Sequence, residues 1–230
     1  MYFNSGYLIF MVPAFLIMML AQWYVNSAYN RWSRVAARSG LTGAQAAQKL
    51  AQRGGLNVSI EQVAGRLSDH YDPRSKTLRL SQGVGQSTSV AALAIAAHEL
   101  GHAMQDREDY GPLRLRAALV PMVNIGSWLG WILLMAGFAL NFTELAWLGV
   151  IVFAGGAVFA LATLPVEFDA SARARRLLAD TGIITTQEES SGVNNVLNAA
   201  ALTYVAALIT AVMQLLYYAS LVLGMGRRNN

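Results

Sequence analysis

Four long stretches without a charged side chain constrain the fold of this chain more than any other feature of its sequence. They cover residues 7–25, 117–140, 145–166 and 199–226. Each is long enough to cross about 30 Å of hydrocarbon as an α-helix that rises about 1.5 Å per residue. No basic residue precedes the first stretch, which favours a retained membrane helix over a secretory signal. We therefore predict an integral membrane protein with about four transmembrane helices.

Basic residues are concentrated on one side of these predicted helices. Twelve of the 17 lysines and arginines lie between Arg31 and Arg116, and three more follow the third stretch at residues 173–176. By the positive-inside tendency, both basic segments are expected in the cytoplasm, with the turn at residues 141–144 outside. The charges are scattered rather than arranged in a stripe, which disfavours nucleic acid as a partner.

A short histidine motif predicts a metal site. Residues 98–102 read H-E-L-G-H and contain two of the three histidines in the chain. On a helix, residues four apart project from one face, so His98 and His102 can bind one ion while Glu99 reaches a water beside it. Because the chain contains no cysteine, any metal must be held by imidazole and carboxylate groups. The sequence therefore predicts a zinc hydrolase with Zn²⁺ as its cofactor.

The segment between the first two apolar stretches has the pattern of a small α+β domain. One helix is predicted from Thr42 to the glycine pair 54–55, and a second from a serine-rich cap at residues 87–89 to about Asp106. Three short β-like runs lie between them at residues 56–60, 66–71 and 77–81, followed by a polar loop at residues 82–86. The apolar part of the second helix is too short to span a bilayer, so the histidines are expected outside the lipid.

A catalytic zinc needs a third protein ligand besides the two histidines. One candidate is His70, the remaining histidine, and another is Glu167, which follows the third apolar stretch two residues after Pro165. Pro165 can open or kink a helix at this point. The chain crosses the membrane twice between His102 and Glu167 and so returns to its starting side, which permits ligation. Two other roles for Glu167 stay open, because it could pair with Arg173 or mark the membrane boundary.

Four segments of the sequence resemble one protein family. They read DHYDPRSKTLRLS from residue 69, STSVAALAIAAHELGHAMQ from residue 87, LPVEFDAS from residue 164 and NAAALTYVAAL from residue 198. Together they are similar to the bacterial YugP-type membrane zinc metallopeptidases, and the likeness covers nearly the whole chain. The resemblance implies a zinc-dependent, endopeptidase-like activity. It also implies that His98, His102 and Glu167 are the zinc ligands and that Glu99 is the catalytic carboxylate.

On this basis we predict an α+β membrane protein in which a small zincin-like domain is inserted between transmembrane helices 1 and 2. The predicted divisions are a first membrane helix (1–30), the zincin-like catalytic domain (31–116), a membrane hairpin (117–166), a helical segment with the third ligand (167–198) and a last membrane helix with its tail (199–230). The expected location is the bacterial plasma membrane. The expected partners are the lipid bilayer and a peptide or membrane-protein substrate.

The groups that orient the ligands differ from the wider zincin pattern. Similar zincins often carry an aspartate four residues after the ligand glutamate, where this chain has Ser171. Asp169 lies two residues after Glu167, on the opposite side of a helix, and is a poor candidate to support the same ion. We expect Asp106 or Ser171 to hold an imidazole N–H instead.

The predicted reaction is peptide hydrolysis, in which Glu99 takes a proton from water and passes it to the leaving amine. His70 is the favoured side chain for stabilising the oxyanion, with Tyr71 and Tyr204 as alternatives. A free sheet edge within residues 66–81 would let a substrate add as an extended strand. Two other functions are considered. Cleavage within the membrane is disfavoured by the short apolar run, and a non-catalytic scaffold would keep zinc for stability or to bind a partner.

Overall fold

Helices dominate the described part of the chain. The computed structural model of the protein describes residues 5–229, which fold into seven helices and three strands. In chain order these are α1 (Ser5–Trp32), α2 (Gly43–Arg53), β1 (Ser59–Val63), β2 (His70–Asp72), β3 (Thr77–Ser81), α3 (Gln82–Gly85), α4 (Val90–Arg107), α5 (Gly111–Ala139), α6 (Thr143–Asp180) and α7 (Gln187–Asn229). The outer ends of the predicted first and last segments, residues 1–4 and 230, lie outside this range.

The four apolar stretches all lie within long helices. α1, α5, α6 and α7 are each long and apolar enough to cross a membrane, which confirms the prediction of about four membrane helices. Large apolar side chains on them stay exposed, as at Phe15, Trp128 and Ile151. A surface of this kind suits lipid rather than water. α6 continues beyond its apolar stretch to Asp180, and α7 begins well before its own at Gln187.

The chain divides into two compact units, both assembled from distant segments. Unit 1 contains the described residues up to Ala21, together with Arg114–Leu164 and the chain from Thr203 onward. Unit 2 contains Gln22–Leu113 and Pro165–Leu202. The divisions predicted from the sequence, including the catalytic segment 31–116, stay predictions.

Small residues bring α5 and α6 close together within unit 1. A Cβ at Gly137 would lie 2.5 Å from the backbone nitrogen of Ala146, and one at Gly149 would lie 2.6 Å from that of Leu134. Helix pairs in membranes commonly approach through such residues. Lipid provides no hydrophobic driving force for helix association, so close packing of the two backbones stabilises the pair instead.

Unit 2 holds a three-stranded sheet in the order β1-β3-β2. The central strand β3 is parallel to β1 and antiparallel to β2, and it covers the predicted residues 77–81. Leu78 and Leu80 of β3 are fully buried in the core of this unit. The polar loop predicted at residues 82–86 is wrong, because β3 leads directly into the helical turn α3, where Val84 is buried in the same core.

The two outer strands begin later than predicted. β1 starts at Ser59, three residues after the start of the predicted run 56–60, because the Leu56 N–H still donates to the end of α2. The run at residues 66–71 becomes a strand only from its fifth residue. Gly65 and Leu67 take positive φ angles of 108° and 55°, and these turn the backbone before β2 can form.

Local sequence signals account for both ends of α2 and for the start of α4. The Thr42 hydroxyl and the Gln45 side chain form a reciprocal capping box at the start of α2, and Gly55 with its positive φ of 61° follows the end of this helix. The Oγ atom of Ser89 accepts from the Ala92 N–H at the start of α4. Both predicted helices are therefore confirmed.

Candidate metal centre

Helix α4 carries the histidine motif within unit 2. Its buried side is built largely of alanine and leucine, residues that favour helix and fill the core. His98 and His102 lie one turn apart, with ring centroids separated by 4.9 Å and ring planes almost perpendicular. The spacing of four residues therefore brings the two imidazoles side by side.

Helix α6 supplies a carboxylate to the same place. Pro165 lies inside α6, so no helix opens there, and Glu167 is 2% exposed. The Oε2 atom of Glu167 lies 3.3 Å from His98 Nε2 and 3.6 Å from His102 Nε2. One potential ligand atom from each of the three residues lies within 4.8 Å of the others. Arg173, the other partner considered for Glu167, forms ion pairs with two different carboxylates.

Two features hold α6 against α4 in unit 2. A Cβ at Gly101 would lie 2.5 Å from the carbonyl oxygen of Ala170, so a hydrogen atom is all that fits between the two backbones. Arg173 of α6 donates its Nε to Asp169 and its Nη1 to Glu108 at the end of α4, both at 2.6 Å. The absence of a side chain at Gly101 and the ion pairs of Arg173 together keep the Glu167 carboxylate beside the histidines.

The second nitrogen of each imidazole also has a neighbour. Ser171 Oγ lies 3.2 Å from His98 Nδ1, so Ser171 is the one of the two predicted residues that contacts an imidazole. Gln105 Oε1 lies 3.0 Å from His102 Nδ1. Because both Nδ1 atoms are engaged in this way, both rings present Nε2 to Glu167.

Gln105 was not predicted as a supporting residue, and Asp106 has a different partner from the one predicted. Asp106 accepts a hydrogen bond from the Tyr71 hydroxyl at 2.8 Å rather than from an imidazole N–H, so of the two predicted alternatives the one at Asp106 is wrong. Gln105 lies three residues after His102 on the same helical face, a spacing that could have suggested it. Asp169 was predicted not to support the metal site. It is nevertheless linked to His102 through Gln105, from which it accepts a hydrogen bond at 2.9 Å.

Glu99 lies beside the three potential ligands and is held by the neighbouring sheet. It is 9% exposed, and its Oε2 atom accepts the backbone N–H of Tyr71 in β2 at 3.1 Å. Burial raises the pKa of the Glu99 carboxyl above its ordinary value, although the imidazoles of His98 and His102 act in the opposite direction. No local sequence signal marks this contact, because its donor is a backbone group.

Other predicted residues have different surroundings. Within residues 5–229, the group of potential ligands does not include His70. The His70 side chain is exposed on β2, and its Nδ1 lies 2.8 Å from the carbonyl oxygen of Ser68. Tyr204 lies on α7 in unit 1. The oxyanion roles of His70 and Tyr204 stay predictions.

The three converging side chains fit zinc by their chemistry. Two imidazole nitrogens and one carboxylate oxygen, with a fourth position open, form the ligand set of several catalytic zinc sites. Calcium and magnesium prefer sites made of oxygen atoms alone, which His98 and His102 do not provide. Hydrogen bonding at Nδ1 is also the usual way in which a ligating imidazole is oriented.

Comparisons with known proteins also point to zinc. The sequence model of the family described as "Putative neutral zinc metallopeptidase" matches residues 7–223. The chain belongs to this family. It is 44% identical over 211 residues to the "Putative membrane protease YugP" of Bacillus subtilis (strain 168), an alignment that covers 91% of this chain and 93% of that relative. No solved structure matches the chain.

Membership of the neutral zinc metallopeptidase family confirms the resemblance drawn from the four sequence segments. It implies zinc, for which His98, His102 and Glu167 form a possible site. The four apolar helices agree with the membrane location that the name of this relative states.

Proposed function

We propose that this protein is a membrane-anchored, zinc-dependent endopeptidase in which Glu99 is the general base. The observation that carries the proposal is the position of Glu99, a buried carboxylate next in sequence to His98 in a cluster of three potential zinc ligands. A zinc site that only stabilises a fold needs four protein ligands and no carboxylate beside an open position. In this site, by contrast, the Glu99 carboxylate lies beside three potential ligands.

Several residues of the chain have separate roles in the proposed peptide hydrolysis. When zinc is bound at this site, it supplies Lewis acidity that activates water and polarises the scissile carbonyl. Glu99 accepts a proton from water and delivers it to the leaving amine. The Tyr71 N–H holds one oxygen of this carboxylate, which restricts its rotation and orients the second oxygen. His70 is proposed to donate to the oxyanion.

An extended peptide is the proposed form of the substrate. β2 is an edge strand of the sheet, and peptides commonly bind such edges as an added strand. The outward N–H of Tyr71 is already used by Glu99. Backbone recognition at this edge therefore relies on the Tyr71 carbonyl, and we propose short peptides or unfolded segments of membrane proteins as substrates.

Metal removal tests the proposed function directly. The purified full-length protein in detergent is expected to hold about one zinc per chain and to cleave members of a mixed peptide library. A chelator should stop the cleavage, and added zinc should restore it, because the activated water depends on the metal. Stoichiometric zinc with no cleavage of any peptide would contradict the proposal and favour the non-catalytic scaffold.

The active site is proposed to face the cytoplasm, on the basis of the basic segments that flank the apolar stretches. The chain has no cysteine, so a single introduced thiol reports its own position. Phe142→Cys, in the exposed turn between α5 and α6, is expected to react with a membrane-impermeant thiol reagent in intact cells. Ser75→Cys, in the exposed turn before β3, should react only after lysis. The reverse pattern would place the site outside.

A further inference from the structure

The side chain of Gln105 contacts one potential zinc ligand, His102, and the backbone next to another, Glu167. It is fully buried, although it is polar, and all of its amide groups have partners. Its Nε2 donates to the carbonyl oxygen of Val166 at 2.8 Å and to Oδ2 of Asp169 at 2.9 Å, while its Oε1 lies 3.0 Å from His102 Nδ1. Burying an amide without such partners is unfavourable, so each contact constrains the position of the side chain.

Hydrogen-bond chemistry determines the orientation of this amide. The Val166 carbonyl and the Asp169 carboxylate can only accept, so the NH₂ group of Gln105 must face them. Its oxygen then faces His102 and can only accept in turn. The proton of a neutral His102 must therefore be on Nδ1, which leaves the lone pair of Nε2 available on the side of Glu167.

His98 is oriented by a less selective group. Ser171 Oγ can either donate to His98 Nδ1 or accept from it, because a hydroxyl does both. The serine therefore does not determine which nitrogen of His98 carries the proton. Of these two residues, only Gln105 determines which nitrogen of its histidine carries the proton.

The same glutamine also holds the segment that carries the third carboxylate. Val166 directly precedes Glu167, and Gln105 binds its carbonyl across 61 positions of sequence. Asp169, the second acceptor, is held from its other side by Arg173, which also binds Glu108. A chain of contacts thus runs from His102 through Gln105 into α6 and returns to the end of α4.

We propose that Gln105 is a positioning residue of the metal centre. It selects the form of His102 that can bind a metal and holds the backbone beside Glu167, and so it determines the metal affinity of the three side chains. The inference rests on the proposed function in one respect, which is that His98, His102 and Glu167 bind zinc. It does not require that the protein cleaves peptides.

The test measures zinc affinity in the full-length protein in detergent by competition with a chelator. Gln105→Met, which keeps the volume and removes every hydrogen bond, is expected to bind zinc about 10- to 100-fold more weakly. Gln105→Ala serves as a second variant where the methionine does not fold. The matched control is Asn195→Ala in the same unit. That amide also has both ends bonded, to Trp32 and Tyr24, but neither partner belongs to the metal centre. Its variant should bind zinc as the parent does.

A second measurement separates positioning from general stability. In the zinc-loaded protein, nitrogen-15 NMR of the histidines should show protected Nδ1–H signals for His98 and His102. Substitution of Gln105 is expected to remove or shift the His102 signal and to leave that of His98 in place. Ser171→Ala should produce the opposite pattern, because Ser171 contacts His98.

The outcomes distinguish this inference from the proposed function. Unchanged zinc affinity in the Gln105 variants, an equal loss in Asn195→Ala, or joint loss of both histidine signals would overturn the inference, even in a protein that cleaves peptides. A protein that binds zinc in a Gln105-dependent manner but cleaves nothing would support the inference and contradict the peptidase. A parent protein that binds no zinc would contradict both.

Discussion

Glu99→Gln is expected to abolish peptide cleavage while leaving zinc bound. The amide has nearly the same shape as the carboxylate, and its oxygen can still accept the Tyr71 N–H. It cannot accept a proton from water, however, and general-base catalysis typically contributes about 10²- to 10⁴-fold to the rate. We therefore expect a loss of kcat of at least about 10²-fold. His98, His102 and Glu167 are untouched, so zinc content should stay at about one per chain.

The measurement is cleavage of the same peptide library by parent and variant, with the zinc content of both samples determined in parallel. Gln45→Ala is a suitable control, because this exposed glutamine caps α2 and takes no part in the metal centre. The control should cleave as the parent does. A Glu99→Gln protein that retains full activity would eliminate Glu99 as the base, whatever the state of its zinc.

Glu167→Ala is expected to lose zinc and, with it, all activity. The substitution leaves two imidazoles, one fewer than the three protein ligands of a catalytic zinc site. Loss of a group that only orients a ligand already weakens binding about 10- to 100-fold, so removal of a ligand should exceed that range.

A second buried glutamate provides the matched control for this prediction. Glu189 is 3% exposed in unit 2 and accepts hydrogen bonds from Arg38, Thr185 and Thr186 at the start of α7. Glu189→Ala should lower thermal stability without lowering zinc affinity. Competition with a chelator measures both variants. Full zinc occupancy in Glu167→Ala would reject this residue as the third ligand.

Features that depend on neighbouring residues were predictable from the sequence. The start of α4 follows from Ser89, because a serine before an alanine-rich run satisfies an N–H group that the first helical turn leaves unpaired. The central strand β3 was also placed at its observed residues. β2 was not, because its late start follows from two positive φ angles, and Leu67, one of the two residues that adopt them, is of a type that rarely does so.

The support of the imidazoles could be predicted only in part. Asp106 has the right spacing from His102, but Tyr71 of β2 occupies its carboxylate. Spacing along a helix indicates which face a residue lies on, and it does not indicate which neighbour from another element reaches that face first. Ser171 was found because its sequence position matched a known pattern, whereas Gln105 became evident through its contacts with α6.

By itself, the sequence determined that this protein has four apolar helices, that two imidazoles share one face of a capped helix, and that a metal must be bound without thiolate. Each of these depends on composition or on residues within a few turns of one another. The resemblance implied Glu167 as a ligand, and the tertiary structure brought its carboxylate to both imidazoles. The tertiary structure alone decided that Tyr71 holds Glu99 and that Gln105 joins α4 to α6. These contacts join groups that are 28 to 69 positions apart. Those between α4 and α6 are possible because the two helices approach closely at Gly101.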